Sequence, residues 1–244
     1  MAYDAKRQDD SAIQDYDQAI YLNPGYAMAF LNRGILFGFK GQLDHAIKDF
    51  DQAIRLDPDH AEGLYNRGAA YYAKHQLDRA IQDYDQAIRV DPGFSNTFQA
   101  RGLAYADKGQ HDRAIQDYDQ VIRLRNPGGF VWNLRCRSRA SLGRPAEALP
   151  DCDQALKFRP GDGRFLDSRA LVHFQLGNIA AAERNSRAAV AQQSANASMR
   201  YLLGLIVAAK GDRAGADAER QAAQKLARPG EFAWIEREIG RFRR

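Results

Sequence analysis

One eight-residue phrase recurs at a fixed interval and constrains this chain more than any other feature. The copy from Ile81 to Ile88 is Ile-Gln-Asp-Tyr-Asp-Gln-Ala-Ile, and related copies begin at Ile13, Ile47, Ile115 and Leu149. Each copy starts 34 residues after the previous one. A single unit of this length cannot bury its apolar face alone, so the period predicts a stack of similar units rather than one globular core.

Each unit is predicted to be a pair of helices. Ala80, Tyr84, Ala87 and Ile88 fall at spacings that place them on one face of a helix, and the preceding segment repeats this pattern. A short turn separates the two segments, and glycine occupies it in five sister copies, where a left-handed residue costs little. These glycines are Gly41, Gly109, Gly143, Gly177 and Gly211. Prolines at Pro24, Pro58, Pro92 and Pro127 are expected to end the second helix of their units.

These residues resemble the tetratricopeptide repeat (TPR) closely. In the copy from Ala61 to Pro92, the family's pattern of large, small, aromatic and closing residues matches Leu64, Gly68, Tyr71, Ala80, Tyr84, Ala87 and Pro92. The small residues have a physical role, because antiparallel helices approach closely only where no large side chain intervenes. The resemblance implies an all-α fold, an α-solenoid of stacked antiparallel helix pairs that forms a right-handed superhelix.

The period divides the chain into eight segments. They are a truncated first repeat at 1–24 that is mainly a second helix, repeats at 25–58, 59–92, 93–127 and 128–160, diverged repeats at 161–194 and 195–228, and a C-terminal capping helix at 229–244. In the first segment, Tyr3 aligns with the aromatic position of a first helix whose beginning is missing. A local kink is expected at 125–129, where one long and one short repeat meet. In the capping helix, Phe232, Ile235 and Ile239 are expected on one side.

The charge is distributed unevenly along the chain. Residues 1–127 carry 15 Lys and Arg against 19 Asp and Glu, a balance of −4, whereas residues 128–244 carry 20 against 12, a balance of +8. Opposite signs at the two ends are compatible with head-to-tail association or with an acidic partner, or simply with a solvated helical surface. Nucleic-acid binding is not expected, because the positive charge is modest and spread out.

Two further patterns pair residues at one constant spacing along the sequence. Cys136 and Cys152 lie almost equally far before and after the turn at Gly143, so they are expected to face each other, either as a disulfide or as two buried thiols. Four arginines precede aspartates by the same spacing, which predicts an Arg–Asp bridge inside each unit. These pairs are Arg33 with Asp49, Arg67 with Asp83, Arg101 with Asp117 and Arg135 with Asp151.

The family resemblance also implies a binding surface, because TPR arrays line their inner, concave surface mainly with the first helix of each unit. The corresponding positions here are Met28, Leu31, Asn32, Ile35, Phe39, Tyr65, Asn66, Tyr72, Asn96, Gln99, Asp107, Asn133, Arg137, Arg164, Asp167, Phe174 and Tyr201. A clamp for a peptide's terminal carboxylate, known from some family members, is not expected. Its first Lys and Asn positions hold Leu31 or Tyr65 and Ile35 or Ala69. The aromatic and amide side chains instead suit an extended or helical peptide.

We therefore expect a non-enzymatic scaffold that binds a peptide or partner protein in this groove. The alternatives are a self-associating assembly protein that uses the truncated first repeat, or the targeting arm of a larger protein. No cofactor or metal is expected, because the five histidines show no metal-ligand spacing and no phosphate loop or nucleophile motif occurs. The sequence as written has no transmembrane run or signal peptide, which predicts a cytoplasmic location, or an exported one if a native N-terminal segment is missing.

Overall fold

The computed structural model describes residues 2–124 and 127–240, and these residues contain fourteen α-helices and no β-strand. The chain forms two compact units, Met1–Arg125 (unit 1) and Asn126–Arg244 (unit 2). Unit 1 contains α1 (Ala2–Leu22), α2 (Ala27–Phe39), α3 (Leu43–Leu56), α4 (Ala61–Ala73), α5 (Leu77–Val90), α6 (Ser95–Asp107) and α7 (His111–Leu124). Unit 2 contains α8 (Gly129–Ser141), α9 (Pro145–Phe158), α10 (Gly163–Gln175), α11 (Ile179–Gln192), α12 (Ala197–Ala209), α13 (Arg213–Leu226) and α14 (Glu231–Gly240).

Consecutive helices form antiparallel pairs in both units. The pairs α2–α3, α4–α5 and α6–α7 stack along unit 1, and the pairs α8–α9, α10–α11 and α12–α13 stack along unit 2. Each second helix also packs on the first helix of the following pair within its unit. The prediction of an all-α array of stacked helix pairs is confirmed.

The turns inside the pairs depend on a left-handed residue. Gly109 has φ +73°, and in the turn after α4 the same conformation is adopted by His75 at φ 57°. There the amide of Gln76 donates to the carbonyl of Tyr71 at 2.9 Å, which closes the end of α4. The expected turn glycines are confirmed, and His75 shows that the position itself, rather than glycine alone, sets the turn.

The two helices of a pair approach closely because a small residue in the first helix lies opposite a large side chain in the second helix. In α4, a Cβ added at Gly68 would lie 2.7 Å from Cε1 of Tyr84 in α5, and Tyr84 is only 1% exposed. The same contact joins Gly34 to Phe50 and Gly102 to Tyr118. The small residue of the first helix therefore makes room for the large aromatic ring of the second helix, which explains why the two recur together.

The predicted Arg–Asp bridges inside the helix pairs are confirmed, and some of these arginines also contact an aspartate of the preceding repeat. Arg67 donates from Nε and Nη2 to both carboxylate oxygens of Asp83, at 2.8 and 2.6 Å. Its Nη1 also donates to Asp51 of the preceding pair at 2.7 Å. Arg67 thus joins two neighbouring repeats, and in the same way Arg33 reaches Asp17 and Arg101 reaches Asp85. A buried carboxylate with two donors from one guanidinium is well satisfied.

Similar connections occur in both units. In unit 2, Arg169 contacts Asp153 and Asn185. A second series on the surface of unit 1 pairs a lysine with an aspartate of the preceding repeat, as in Lys74 with Asp44. Surface pairs of this kind contribute little free energy each, so the guanidinium pairs are the main electrostatic connections.

The N-terminal helix differs from the expectation for the first segment. The structure contains one continuous helix from Ala2 to Leu22, so Tyr3 does not lie in a separate first helix. The sequence explains the difference, because Arg7 stands where the other copies have Gly41, Gly109 or the left-handed His75. Without a residue suited to a left-handed turn, the helix continues. The boundaries of the repeats themselves stay a prediction.

Parts of the expected kink and of the expected capping helix lie outside the described residues. Residues 125 and 126 of the kink and residues 241–244 of the cap lie outside them, as does the side chain of Ile235. Within the described part, Phe232 and Ile239 of α14 pack against the core that α10 and α12 form.

Candidate peptide-binding surfaces

The first helices of neighbouring pairs contact each other, so equivalent positions on them form a continuous surface in each unit. In unit 1, α4 contacts both α2 and α6, and in unit 2, α10 contacts both α8 and α12. The sequence-predicted groove residues lie on these six helices.

The surface of unit 1 is aromatic and amide-rich. Tyr65 lies with its ring centroid 5.1 Å from that of Phe94. The hydroxyl of Tyr72 donates to Asp107 at 2.5 Å, and burial together with this bond raises the pKa of Tyr72. Phe39 is 81% exposed, so its ring is available to a partner. The other candidates in unit 1 are the exposed Met28 and Asn96 and the half-buried Asn32, Ile35, Asn66 and Gln99.

Four candidates are buried, which corrects the expectation that these positions are exposed. Leu31 is 2% exposed and belongs to the core between α2 and α3, where it packs with Phe50. Asn133, Phe174 and Tyr201 are each no more than 3% exposed. The cause is the tight stacking of the pairs, because a side chain that points between two first helices is covered by the next repeat. Leu31 is thereby removed from the binding surface.

The C-terminal half of unit 2 contains a cavity of about 450 Å³. The aromatic residues Phe174 and Tyr201 form part of its wall, and Asp217 and Arg220 bring charge to it from α13. The full lining is Phe174, Ile179, Tyr201, Gly204, Leu205, Ala208, Ala209, Ala216, Asp217 and Arg220. Volumes of this order hold small ligands or large apolar side chains in known binding sites.

Phe174 and Tyr201 were predicted from the sequence as surface residues, but the other residues of the cavity wall were not predicted. Leu205 and Ala208 lie four and seven residues after Tyr201, so they belong to the same stripe of α12. That helical spacing was available in the sequence. The contributions of Ile179 and Arg220 were not, because they depend on how the second helices pack.

Polar residues occupy the other end of the same surface in unit 2. Asn133 and Arg137 lie one turn apart on α8, and Asp167 lies on α10. The side-chain oxygen of Asn133 and Oδ1 of Asp167 are buried and have no hydrogen-bond partner. Burial raises the pKa of Asp167 to about 6, and the positive charge of Arg137 opposes this shift. Arg164, at the start of α10, is exposed and paired with Asp162.

The two cysteines face each other in the core of the α8–α9 pair. Both Cys136 and Cys152 are fully buried, their Cα atoms are 5.4 Å apart, and their sulfur atoms lie at bonding distance. A Cα separation of roughly 4.4–6.8 Å is the range that a disulfide spans. Cys136 and Cys152 occupy the positions equivalent to Gly68 and Tyr84 in unit 1. Two side chains of intermediate size therefore fill the space that a glycine and an aromatic ring fill in unit 1. Their oxidation state stays a prediction.

The described residues contain neither a candidate metal site nor a candidate membrane span. Among residues 2–124 and 127–240, no cluster of three or more His, Cys, Asp or Glu side chains has the arrangement of a metal site. None of the helices in that part of the chain combines the length and the apolar character that a membrane span requires.

Comparison with known proteins agrees with these observations. Models described as tetratricopeptide repeat match residues 1–26, 61–94 and, with one model, 100–163 and 168–232; a model described as TPR repeat matches residues 40–75. No curated protein sequence matches the chain.

Several solved structures share the fold. A tetratricopeptide repeat protein from Parabacteroides merdae is 18% identical, with a TM-score of 0.74 over 98% of this chain and 95% of its own. PilF from Pseudomonas aeruginosa is 16% identical, with a TM-score of 0.70 over 87% and 97%. YrrB, described as a TPR protein with an unusual peptide-binding site, is 20% identical, with a TM-score of 0.59 over 77% and 97%. Stacked helix pairs with an open surface along their first helices define a helical-repeat scaffold for protein–protein interaction. The chain belongs to the tetratricopeptide repeat family.

Proposed function

We propose that the chain binds a partner protein by holding a short peptide segment of it against the first helices of unit 2. The observation that carries this proposal is the cavity of about 450 Å³ between α10, α11, α12 and α13. The description of YrrB as a peptide-binding TPR protein agrees with a peptide as the ligand.

The composition of the cavity wall suits a large apolar side chain. Its lining includes Phe174, Tyr201 and Leu205, which are at most 9% exposed, and Ala208, which is exposed to solvent. Burying one Leu- or Phe-sized side chain contributes about 1.5–3 kcal/mol. A single anchor of this kind commonly dominates peptide recognition. We therefore expect the peptide to carry an aromatic or large aliphatic residue as its anchor.

A random-peptide display library, selected against the folded chain, tests this function. Selected peptides should share an apolar anchor, and the variant Ala208→Trp should abolish their binding because the indole fills the cavity. Ala191→Trp, at an exposed position on α11 outside the cavity, is the matched control and should bind normally. Equal binding by Ala208→Trp and the wild type would refute the cavity as the site. Peptides that instead depend on Phe39 would move the site to unit 1.

A second candidate function is self-association through the end of α1. Tyr21 and Leu22 are 80% and 72% exposed. The positions equivalent to Tyr21 in the next three repeats hold arginine. Light scattering across a concentration series should show a mass above that of the monomer. The variant Tyr21→Ser/Leu22→Ser should restore the monomer, and a monomeric wild type at the highest concentration would exclude this candidate.

A further inference from the structure

Unit 2 presents two unmet hydrogen-bond acceptors at equivalent positions of neighbouring helices. Asn133 on α8 and Asp167 on α10 occupy the same place in consecutive repeats, and α8 contacts α10 directly. Asn133 is 3% exposed and its Oδ1 has no donor; Oδ1 of Asp167 is likewise buried without a donor. Such orphan acceptors cost about 1–3 kcal/mol each, so both need an explanation.

Asp167 is half-buried with a buried Oδ1, and it differs from the four fully buried aspartates of the chain's second helices. Asp49, Asp83, Asp117 and Asp151 are 2–5% exposed, and each accepts hydrogen bonds from an arginine on the adjacent first helix. The fold therefore supplies a guanidinium to a buried carboxylate wherever the role is structural. It supplies none to Asp167, which lies on the first-helix surface instead of facing the second helix.

Arg137 is the nearby cation, and it leaves the acceptor unsatisfied. It lies on α8 one turn after Asn133 and is exposed to solvent. Its charge acts on Asp167 through space, yet Oδ1 of Asp167 keeps no partner. Neither α8 nor α10 therefore supplies a donor to Oδ1 of Asn133 or to Oδ1 of Asp167.

We infer that Asn133 and Asp167 capture a cationic side chain, lysine or arginine, of the peptide that binds unit 2. An ammonium or guanidinium group supplies several hydrogen-bond donors and a positive charge that stabilises a half-buried carboxylate. Capture would satisfy both acceptors at once. This inference rests on the proposed function, because it assigns a second subsite to the same surface.

The distance from Asp167 to the cavity sets the number of peptide residues between the basic residue and the apolar anchor. Asp167, Leu171 and Phe174 lie on one stripe of α10, and Phe174 lines the cavity. Seven residues of helix correspond to about 10 Å, which an extended peptide covers in about three residues. The basic residue should therefore stand about three positions from the apolar anchor.

The display selection described above also tests this inference when it is repeated with Asp167→Asn, a variant of the same size that removes the charge. Wild-type selections should enrich lysine or arginine at one spacing from the anchor, and Asp167→Asn should lose the basic preference but keep the anchor. Synthetic peptides from the wild-type selection should bind Asp167→Asn about tenfold more weakly, a loss typical of one charge-assisted contact. Glu147→Gln, which alters an exposed carboxylate on the second helix α9, outside the candidate surface and the cavity, is the matched control and should not change binding.

Each remaining outcome separates the inference from the proposed function. Peptides that bind through the cavity without a basic preference, or with one that Asp167→Asn does not change, would overturn the inference and leave the proposed function standing. A library that enriches no peptide would overturn the proposed function.

In that last case, n-butylguanidinium alone decides the inference. It should shift the side-chain amide resonance of Asn133 in the wild type, and much less in Asp167→Asn. No shift in the wild type would overturn the inference.

Discussion

Adding one methyl group at Gly68 tests the volume matching that holds each helix pair together. In the variant Gly68→Ala, the new Cβ would lie 2.7 Å from Cε1 and 2.9 Å from Cδ1 of Tyr84. Carbon atoms at an optimal contact are about 3.5–4.0 Å apart, so the ring or the helix must move by close to 1 Å. The ring has little room, because Tyr84 is buried and packs against Tyr65 with centroids 6.0 Å apart.

Two opposing effects set the magnitude. Alanine in a helix interior is favoured over glycine by about 1 kcal/mol, whereas overpacking a core costs about 1–3 kcal/mol. Because the clash involves two ring atoms of a buried side chain, overpacking should dominate and leave a net loss of about 1–2 kcal/mol. Gly38 provides the matched control, since a Cβ there would meet nothing within 4 Å. Gly38→Ala should therefore raise stability by about 0.5–1 kcal/mol.

Guanidinium unfolding followed by far-ultraviolet circular dichroism measures both variants. Repeat arrays often depart from two-state unfolding, so the comparison is between shifts of the midpoint relative to the wild type. We expect the midpoint of Gly68→Ala to fall and that of Gly38→Ala to rise. If Gly68→Ala gains as much stability as Gly38→Ala, the ring does not occupy the space above Gly68 and the volume argument fails.

The chain itself suggests a rescue for this variant. The pair equivalent to Gly68 and Tyr84 is Ala170 and Ser186 in a later repeat, where the larger first residue accompanies a smaller second one. In a Tyr84→Ser background, Gly68→Ala should cost nothing or stabilise, because the clashing ring is gone. The double-mutant cycle should therefore give a favourable coupling energy between the two substitutions.

Four further perturbations probe the other features. Cys136→Ser/Cys152→Ser should destabilise the chain by about 3 kcal/mol if the pair is a disulfide, and the denatured, alkylated wild type should then show no free thiol. Arg67→Ala should cost about 2–3 kcal/mol in chemical unfolding, because it leaves a buried carboxylate without its donors. His75→Gly should stabilise by about 0.5–1 kcal/mol, since glycine adopts positive φ without strain. Burial raises the pKa of Asp167 to about 6, so the folded state binds its proton more tightly than the unfolded state. Wild-type stability should fall as the pH rises from about 4 to 6, and Asp167→Asn should gain on the order of 2 kcal/mol at pH 7.5 but little below pH 4.

Matched controls make these outcomes decisive. Arg79→Ala removes an exposed guanidinium that bonds only Gln76 and lies over the ring of Tyr71, so it should cost little. The reverse change Gly109→His should destabilise the equivalent turn between α6 and α7, where Gly109 has φ +73°. Two alkylated thiols in the wild type would contradict the disulfide, and a stability of Asp167→Asn that tracks the wild type at every pH would contradict the buried charge.

The repeat period made most of the fold predictable. Helix pairs, their turns and the Arg–Asp bridge inside each pair follow from local spacing, because a helix places residues three and four apart on one face. The constant spacing between paired residues then brings them opposite each other, because every hairpin has the same length. The same arithmetic predicted that Cys136 and Cys152 face each other. The prediction was wrong at Tyr3, because the alignment placed this residue in a separate first helix although no turn residue separates it from the helix that follows.

The candidate surface was less predictable than the fold. Alignment to the repeat identified which side chains point toward the first-helix surface, but it could not tell which of them the neighbouring repeat covers. Leu31 and Tyr201 occupy equivalent positions and both pack into a core, yet only Tyr201 also lines the cavity described above. The difference depends on the volumes of side chains from other helices, which sequence spacing does not contain.

Sequence alone determined that this chain builds stacked helix pairs, since a repeated amphipathic pattern with one small residue per pair can bury its apolar face in few other ways. Tertiary structure decided that Arg33, Arg67 and Arg101 also join the preceding repeat, that a cavity remains between α10 and α13, and that Oδ1 of Asp167 stays without a donor. These features arise where three or more helices meet. The free energy of such a site depends on which volumes and hydrogen bonds are left unfilled, and that is settled only when the helices have packed.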